Sequence, residues 1–116
     1  MILLIGGLNM KLITRDELKD RLDNKDDFKL CMVLGEWQFQ AKHIPGSIHV
    51  GNIEEGTNLL SKDDDIVVYC SNVSCVASIY AYRILVANGF ANVRRYAGGV
   101  EDWEAAGYPL EGELVY

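Results

Sequence analysis

Short apolar segments of strand length alternate with helix-like segments along the whole chain, and this alternation constrains the fold more than any other feature. The most regular apolar segment is Ile66–Tyr69, which is followed directly by Cys70. Phe28–Leu34 is a nearly continuous apolar run, as expected of a strand covered on both sides. Further strands are predicted at Ser47–Val50 and Val93–Tyr96. The alternation predicts an α/β sheet protein.

The helical segments carry recognisable start and stop signals. Thr14 and Glu17 form a capping-box pattern, which predicts an amphipathic helix from Thr14 to about Leu22. Val76–Asn88 is apolar around most of its circumference and is followed by Gly89, so a largely buried helix is expected there. Shorter helices are predicted at Glu36–Ala41 and Val100–Ala106. The predicted order of elements is β-α-β-α-β-β-α-β-α.

Length and composition predict a single globular domain over residues 1–116. The chain has 116 residues, of which 49% are hydrophobic, and its net charge is −6. An acidic chain of this kind gives little electrostatic support for nucleic-acid binding. The first ten residues are apolar, but they lack a basic leader pattern and are too short to span a bilayer, so we expect a cytoplasmic protein without a membrane segment. Residues 1–10 are an N-terminal extension or an added strand, and the sequence leaves both alternatives open.

Cys70 is the strongest candidate for chemistry among the three cysteines. It stands at the carboxyl end of the best predicted strand, where α/β sheets bind ligands. Backbone N–H groups of the following loop and helix start would stabilise a thiolate, the nucleophilic form of cysteine. The alternative is a buried cysteine that acts as a small apolar side chain. Cys31 lies in mid-strand and is expected to be structural, and the spacing of Cys31, Cys70 and Cys75 predicts neither a disulfide framework nor a metal site.

Three separated segments resemble the rhodanese family of single-domain sulfurtransferases. Glu36–Ile48 (EWQFQAKHIPGSI) is similar to the family signature E-x-x-F-x-x-x-H-I-P-G-A-I. The run IVVYC resembles the strand that ends at the family's catalytic cysteine, and Asn88–Leu110 (NGFANVRRYAGGVEDWEAAGYPL) resembles its closing segment. The resemblance extends from Leu12 to Leu110 and implies a central, mostly parallel β-sheet flanked by helices on both faces.

The resemblance also implies a reaction. The Cys70 thiolate would attack the outer sulfur of a sulfane donor such as thiosulfate, hold it as a persulfide and pass it to a thiol or cyanide. No cofactor and no metal would be needed. The expected partners are a small sulfur-containing or oxyanion substrate and an acceptor protein thiol, with the chain a monomer or homodimer. The loop residues expected to line the substrate site are Ser71, Asn72, Val73, Ser74, Cys75 and Val76.

Departures from the family pattern concern charge and the length of the loop. The loop after Cys70 is longer than is usual in the family, and residues 71–78 contain no Arg or Lys. The missing arginine argues against phosphatase activity and predicts that thiosulfate is a poor donor. Met32-Val33-Leu34 stands where the family commonly has Asp-x-Arg, so a charge network behind the site is absent. The arginines outside the loop, Arg83, Arg94 and Arg95, are expected on solvated faces.

Two other functions follow from these departures. Cys75 lies five residues after Cys70, so it either packs the helix start or acts as a resolving thiol in an arsenate-reductase-like thiol-disulfide redox enzyme. A non-catalytic rhodanese-like binding or regulatory module is favoured by Met32, Leu34 and the absent arginine. A helix start folded over Cys70 would bury this cysteine and would count against catalysis. His43 is expected to hold its turn rather than to transfer protons.

Overall fold

The computed structural model describes residues 10–115, and its centre is a parallel β-sheet. Four strands form this sheet in the order β2-β1-β3-β4, and every adjacent pair is parallel. The strands are β1 (Lys29–Met32), β2 (Ile48–His49), β3 (Asp65–Tyr69) and β4 (Asn92–Arg95). In the register, Val68 of β3 lies opposite Cys31 on one side and Arg95 on the other. The predicted α/β architecture is confirmed.

Within residues 10–115, five helices connect the strands or flank them in sequence. They are α1 (Arg15–Asp23), α2 (Glu36–Ala41), α3 (Ile53–Gly56), α4 (Ala77–Ala87) and α5 (Gly99–Ala105). The helix α3 was missed because it is only four residues long, and the Asn52 side chain begins it by accepting the Glu55 N–H at 3.2 Å. The first strand of the predicted order falls on residues 1–10, of which 1–9 lie outside the described residues.

The start of α1 is fixed by the capping box that the sequence predicts. The Thr14 hydroxyl accepts the Glu17 N–H at 3.1 Å, and the Glu17 carboxylate accepts the Thr14 N–H at 3.0 Å. Two of the backbone donors that a helix leaves unpaired at its N-terminus are thereby satisfied. This prediction is confirmed.

The two faces of the sheet bury separate apolar layers. Side chains alternate along β3, so that Ile66 and Val68 enter one layer, whereas Val67 and Tyr69 enter the other. The first layer includes Ala81 and Leu85 of α4, and the second includes Leu18 of α1 and Trp103 of α5. Helices therefore cover both faces, as the resemblance implied.

Three of the predicted elements differ from the structure. The strands predicted at Phe28–Leu34 and Ser47–Val50 are longer than the strands observed. The strand β1 ends at Met32, shortly before α2 begins, and β2 lies at the edge of the sheet, where it pairs with β1. The prediction that the helix after Cys70 is largely buried is wrong. Only one side of α4 packs on the sheet, and Tyr80 and Val86 on its outer side are 52% and 47% exposed.

Candidate active site

The loop from Cys70 to α4 begins at the end of an inner strand. Because β3 lies between β1 and β4, the chain leaves the sheet at Cys70 in the middle of its carboxyl edge. The N-terminus of α5 holds this exit in place. The Val100 N–H donates to the Cys70 carbonyl at 3.0 Å, and the Glu101 N–H donates to the Ser71 carbonyl at 2.9 Å.

Gly99 allows α5 to approach the loop this closely. Its φ is +66°, and a Cβ at this position would lie 2.7 Å from the Ser71 carbonyl carbon and 2.9 Å from the Asn72 nitrogen. It would also collide with the Cys70 carbonyl oxygen. Both the backbone conformation and the space therefore require glycine.

The predicted lining residues lie together in one tight loop. The Asn72 carbonyl accepts the Cys75 N–H at 3.1 Å, and the Asn72 side-chain oxygen accepts the Ser74 N–H at 3.0 Å. These bonds turn the chain back, so that Cys75 returns towards Cys70. The side chains of the loop divide by exposure: Ser71, Asn72 and Cys75 are half-buried, whereas Val73, Ser74 and Val76 are exposed.

Cys70 itself is buried beneath the start of α4. The residue is 1% exposed, and its sulfur lies 3.2 Å from the Ser78 hydroxyl oxygen and 3.6 Å from the Cys75 carbonyl oxygen, so two acceptors share the single thiol proton. Burial raises the pKa of the Cys70 thiol, and the neighbouring Cys75 raises it further, although the hydrogen bonds from Ser78 act in the opposite direction. The loop therefore favours the protonated thiol at Cys70.

Cys75 is the more accessible and more acidic of the two loop thiols. Partial burial raises its pKa, but hydrogen bonds from the Cys70 thiol and from the backbone N–H groups of Ser71 and Ala77 outweigh this effect and leave the pKa lowered. The backbone N–H groups that were expected to stabilise a thiolate at Cys70 therefore stabilise mainly a thiolate at Cys75. For Cys70, the contribution from the helix start is limited to Ser78.

Arg95 lies behind the loop, and the expectation that it is solvated is wrong. The residue is 6% exposed, and its Nε donates to the Ser78 hydroxyl at 2.8 Å. Its Nη2 donates to the Cys75 carbonyl at 3.4 Å and to the Val73 carbonyl at 3.5 Å. The hydrogen bonds of one arginine therefore connect β4 to both ends of the segment 73–78, which covers Cys70.

The alternation of side chains along β4 could have revealed this position. Val93 is buried, and residues two apart in a strand point to the same face, so Arg95 shares the inner face of Val93. Arg94 points to the opposite face, where it pairs with Asp65 at 3.4 Å. The two neighbouring arginines of β4 therefore differ: Arg95 is buried behind the loop, whereas Arg94 forms a salt bridge on the other face.

The charge of Arg95 has no anionic partner within residues 10–115. The salt bridges of this part of the chain involve other cations, so the Arg95 guanidinium is held by one hydroxyl and two carbonyls. A buried cation in this situation favours a negative charge nearby. Because the Ser78 oxygen accepts from Arg95, its own proton is available to a thiolate or persulfide on Cys70.

An apolar cleft of about 180 Å³ borders the loop at Ser71. Met32 and Leu34 form part of its wall, so the positions at which the family commonly has a polar pair contribute an apolar surface instead. Trp37 stands at this cleft with 73% of its surface exposed. The remaining lining residues are Gln38, Ala41, Lys42, Val100 and Leu114.

The other candidate features have local roles. The His43 Nδ1 lies 2.7 Å from the Phe39 carbonyl oxygen, and its ring stacks on Phe39 at 3.9 Å, so His43 holds its own turn. Over the described range, no group of three or more His, Cys, Asp or Glu side chains is placed to bind a metal. Within the same range, every helix is too short or too polar to cross a membrane.

Known proteins resemble this chain in sequence and in fold. The family model described as Rhodanese-like domain matches residues 14–106. The HTH-type transcriptional regulator Rv0324 of Mycobacterium tuberculosis is 37% identical over 101 residues, which are 85% of this chain and 44% of the regulator. The thiosulfate sulfurtransferase GlpE of Pseudomonas savastanoi pv. phaseolicola is 39% identical over 75 residues, covering 63% of this chain and 68% of GlpE. This chain thus spans less than half of the first relative and about two thirds of the second.

A solved structure supports the fold assignment independently of these sequences. The crystal structure of the BH2092 protein from Bacillus halodurans superposes with a TM-score of 0.81 and covers 97% of this chain and 88% of that one. Its sequence identity is 22%, so the similarity concerns the fold alone.

Proposed function

Because the chain belongs to the rhodanese-like domain family, we propose that it is a sulfurtransferase that carries sulfane sulfur as a persulfide on Cys70 and passes it to a thiol or cyanide. The observation that carries this proposal is the buried Arg95, which lacks a carboxylate partner among residues 10–115 and reaches Cys70 through the Ser78 hydroxyl. The similarity to GlpE, a named thiosulfate sulfurtransferase, supports the same activity.

The chemistry consists of two displacements at sulfur. The Cys70 thiolate attacks the outer sulfur of thiosulfate, the bond between the two donor sulfurs breaks, and sulfite leaves with the bonding electrons. An acceptor thiolate then attacks the sulfane sulfur, and Cys70 leaves as a thiolate. In both steps the Ser78 hydroxyl donates to the sulfur of Cys70, while Arg95 polarises this hydroxyl.

The surroundings of the loop favour particular partners. The apolar cleft beside Ser71 favours an organic thiol or a protein thiol over cyanide as the acceptor. A small sulfur-containing or oxyanion compound is the donor. The net charge of −6 makes nucleic acid an unsuitable partner, and both a monomer and a homodimer agree with the proposed reaction.

Donor cleavage in a single turnover tests the proposal. The reduced chain is mixed with thiosulfate or, separately, with 3-mercaptopyruvate, and the sulfite or pyruvate released per chain is measured. We expect close to one equivalent from the parent chain with at least one of these donors and none from Cys70→Ser. Cys31→Ala is the matched control, because burial raises the pKa of Cys31 to about 12 and keeps this thiol unreactive. Equal release from Cys70→Ser and the parent would contradict the proposal.

A regulatory module without catalysis is the second candidate. The burial and raised pKa of Cys70 favour it, and one relative is named as a transcriptional regulator. In that case neither donor would be cleaved, and Cys70 would resist alkylation by iodoacetamide at pH 8 as strongly as Cys31 does.

A further inference from the structure

Two thiols with opposite properties share the loop. The Cys70 sulfur lies 3.6 Å from the Cys75 carbonyl oxygen, and Cys75 packs against the apolar cluster that contains Cys70. Cys70 is 1% exposed, whereas Cys75 is half-buried and in contact with solvent. The reaction described above uses Cys70 and leaves the role of Cys75 open.

We infer that Cys75 resolves a persulfide formed on Cys70, so that the loop releases hydrosulfide and closes a Cys70–Cys75 disulfide when no external acceptor is present. This inference rests on the proposed function, since it starts from sulfur carried on Cys70. It adds an activity, the conversion of sulfane sulfur to hydrosulfide, and it makes Cys75 a second catalytic thiol.

The step balances without any other reactant. The Cys75 thiolate attacks the inner sulfur of the Cys70 persulfide, the bond between the two persulfide sulfurs breaks, and the outer sulfur leaves with its proton as HS⁻. The sulfane sulfur is reduced to sulfide, and the two cysteine sulfurs become a disulfide. A dithiol reductant then restores the two thiols.

The geometry of the loop favours this attack. The turn from Asn72 to Cys75, closed by a 3.1 Å hydrogen bond, brings the chain back to Cys70, and a disulfide requires this kind of approach. The thiol of Cys70 points towards Ser78 and the Cys75 carbonyl, so its sulfur is presented to the side of the loop on which Cys75 lies. Cys31 lies in mid-strand within β1 and cannot take this role.

The leaving groups also favour attack on the inner sulfur. Attack on the outer sulfur would expel the Cys70 thiolate, and burial raises the pKa of this group, which makes it a poor leaving group. Attack on the inner sulfur expels hydrosulfide, which departs into solvent. The lowered pKa of Cys75 supplies the attacking thiolate.

The experiment loads sulfur chemically, so that it does not depend on a donor site. The reduced full chain, freed of reductant under anaerobic conditions, is treated with one equivalent of inorganic polysulfide, and hydrosulfide and intact mass are followed. We expect the parent chain to gain sulfur transiently, to release hydrosulfide and to end about 2 Da lighter, the loss of two hydrogens in a disulfide. The mass loss should lie in the tryptic peptide of residues 63–83, which contains Cys70 and Cys75 but not Cys31.

The variants separate this inference from the proposed function. Cys75→Ser and Cys75→Ala should keep a sulfur atom of about 32 Da on Cys70. Loading itself expels hydrosulfide or a shorter polysulfide in every chain, so the hydrosulfide compared is that released after the unreacted reagent is removed, and this release should be at least tenfold slower than in the parent. Cys31→Ala should behave like the parent. A parent chain that keeps its persulfide as long as Cys75→Ser would overturn the inference while the proposed function stands. No sulfur on Cys70 in any chain would overturn the inference as well. Failure to cleave a donor is measured separately, as the absence of released sulfite or pyruvate.

Discussion

The positive charge at this site comes from a buried arginine. The loop lacks the arginine that is usual in the family, and the strand before the signature lacks the usual Asp-x-Arg pair. Arg95 supplies a positive charge from another element, β4. It approaches Cys70 through the Ser78 hydroxyl, and it is not part of the loop itself. A guanidinium in this position serves as a positioning group for Cys70, because the Ser78 hydroxyl lies between them.

Replacing Arg95 by methionine should lower the reactivity of Cys70 in a chain that still folds. The exchange removes an unpaired buried charge, but it also takes a donor from the Ser78 hydroxyl and from two loop carbonyls, so we expect a folded chain that loses about 1–2 kcal/mol in the free energy of unfolding. Without the cation, the Cys70 thiolate loses support, and its alkylation by iodoacetamide at pH 8 should fall about tenfold, with the pH profile displaced upwards. The rates are measured in a Cys75→Ser background so that only Cys70 is followed.

Arg94→Met provides the matched control. Arg94 is the adjacent residue, lies on the opposite face and pairs with Asp65 at 3.4 Å, so its loss should leave the alkylation profile of Cys70 unchanged. If the two variants shift the profile equally, the effect is one of net charge and not of the contact through Ser78.

The element that fixes the active loop is α5, although it contributes no reacting group. Its first residues bind the carbonyls of Cys70 and Ser71, while α4 covers the cysteine from the other side. The loop is thus held between two helix N-termini, and the position of its backbone depends on how closely α5 can approach. Gly99 sets this distance.

Gly99→Ala should disrupt both stability and sulfur transfer. The added methyl group would meet the carbonyl of Cys70 and the backbone of Ser71, and φ at this position is +66°. We expect a loss of about 3 kcal/mol in the free energy of unfolding, from backbone strain together with overpacking, and at least a tenfold slower release of sulfite or pyruvate from the donor that the parent cleaves. Denaturant unfolding and the single-turnover assay measure the two effects.

Gly107→Ala separates strain from collision. Its φ is +77°, but an added Cβ there would meet nothing within 4 Å. It should therefore lose only about 1 kcal/mol and should keep normal sulfite release. Similar losses of activity in both glycine variants would contradict the role of α5 in holding the loop.

At the scale of the whole molecule, the two apolar layers bury ionisable groups as well as aliphatic ones. Burial raises the pKa of Cys31 to about 12 and, although hydrogen bonds partly oppose it, also raises the pKa of Tyr69 to about 12. In the unfolded chain, these groups ionise near their ordinary values of about 8.5 and 10. Between the unfolded and folded pKa values, the folded chain therefore binds more protons than the unfolded chain, and stability falls as the pH rises.

Alkaline unfolding should show this linkage. The free energy of unfolding should be almost constant from pH 7 to 8 and should then decrease, with a slope of up to roughly 1.4 kcal/mol per pH unit for each group involved. Urea denaturation at intervals up to pH 10.5 measures the decrease. Cys31→Val should reduce the part that begins lowest in pH, to which Cys70 also contributes. A stability that stays level up to pH 10.5 in the parent would show that these groups are not buried in the folded chain.

Local patterns were sufficient to predict most of the elements, but they could not predict how these elements meet at the site. The capping box at Thr14, the run Ile66–Tyr69 and the helix Glu36–Ala41 lie where local propensity and periodicity placed them. The exposure of α4 was misjudged, because its apolar residues surround the helix while the sheet covers only one side. Sequence periodicity describes a helix and cannot state how much of it a neighbour will cover.

The order of residues along the chain was enough to assign the fold family, to place Cys70 at the end of a strand and to identify a second thiol five residues later. The family follows from the motifs that resemble it, whereas the other two features follow from local alternation and spacing along the chain. The packing of the elements against one another buries Cys70, makes Cys75 the more acidic thiol and brings Arg95 to the loop. Burial and charge compensation depend on residues brought together from different elements: Cys70 and Ser78 on either side of the loop, and Arg95 on β4. Contacts of this kind arise only when the strands pair and the helices pack over them.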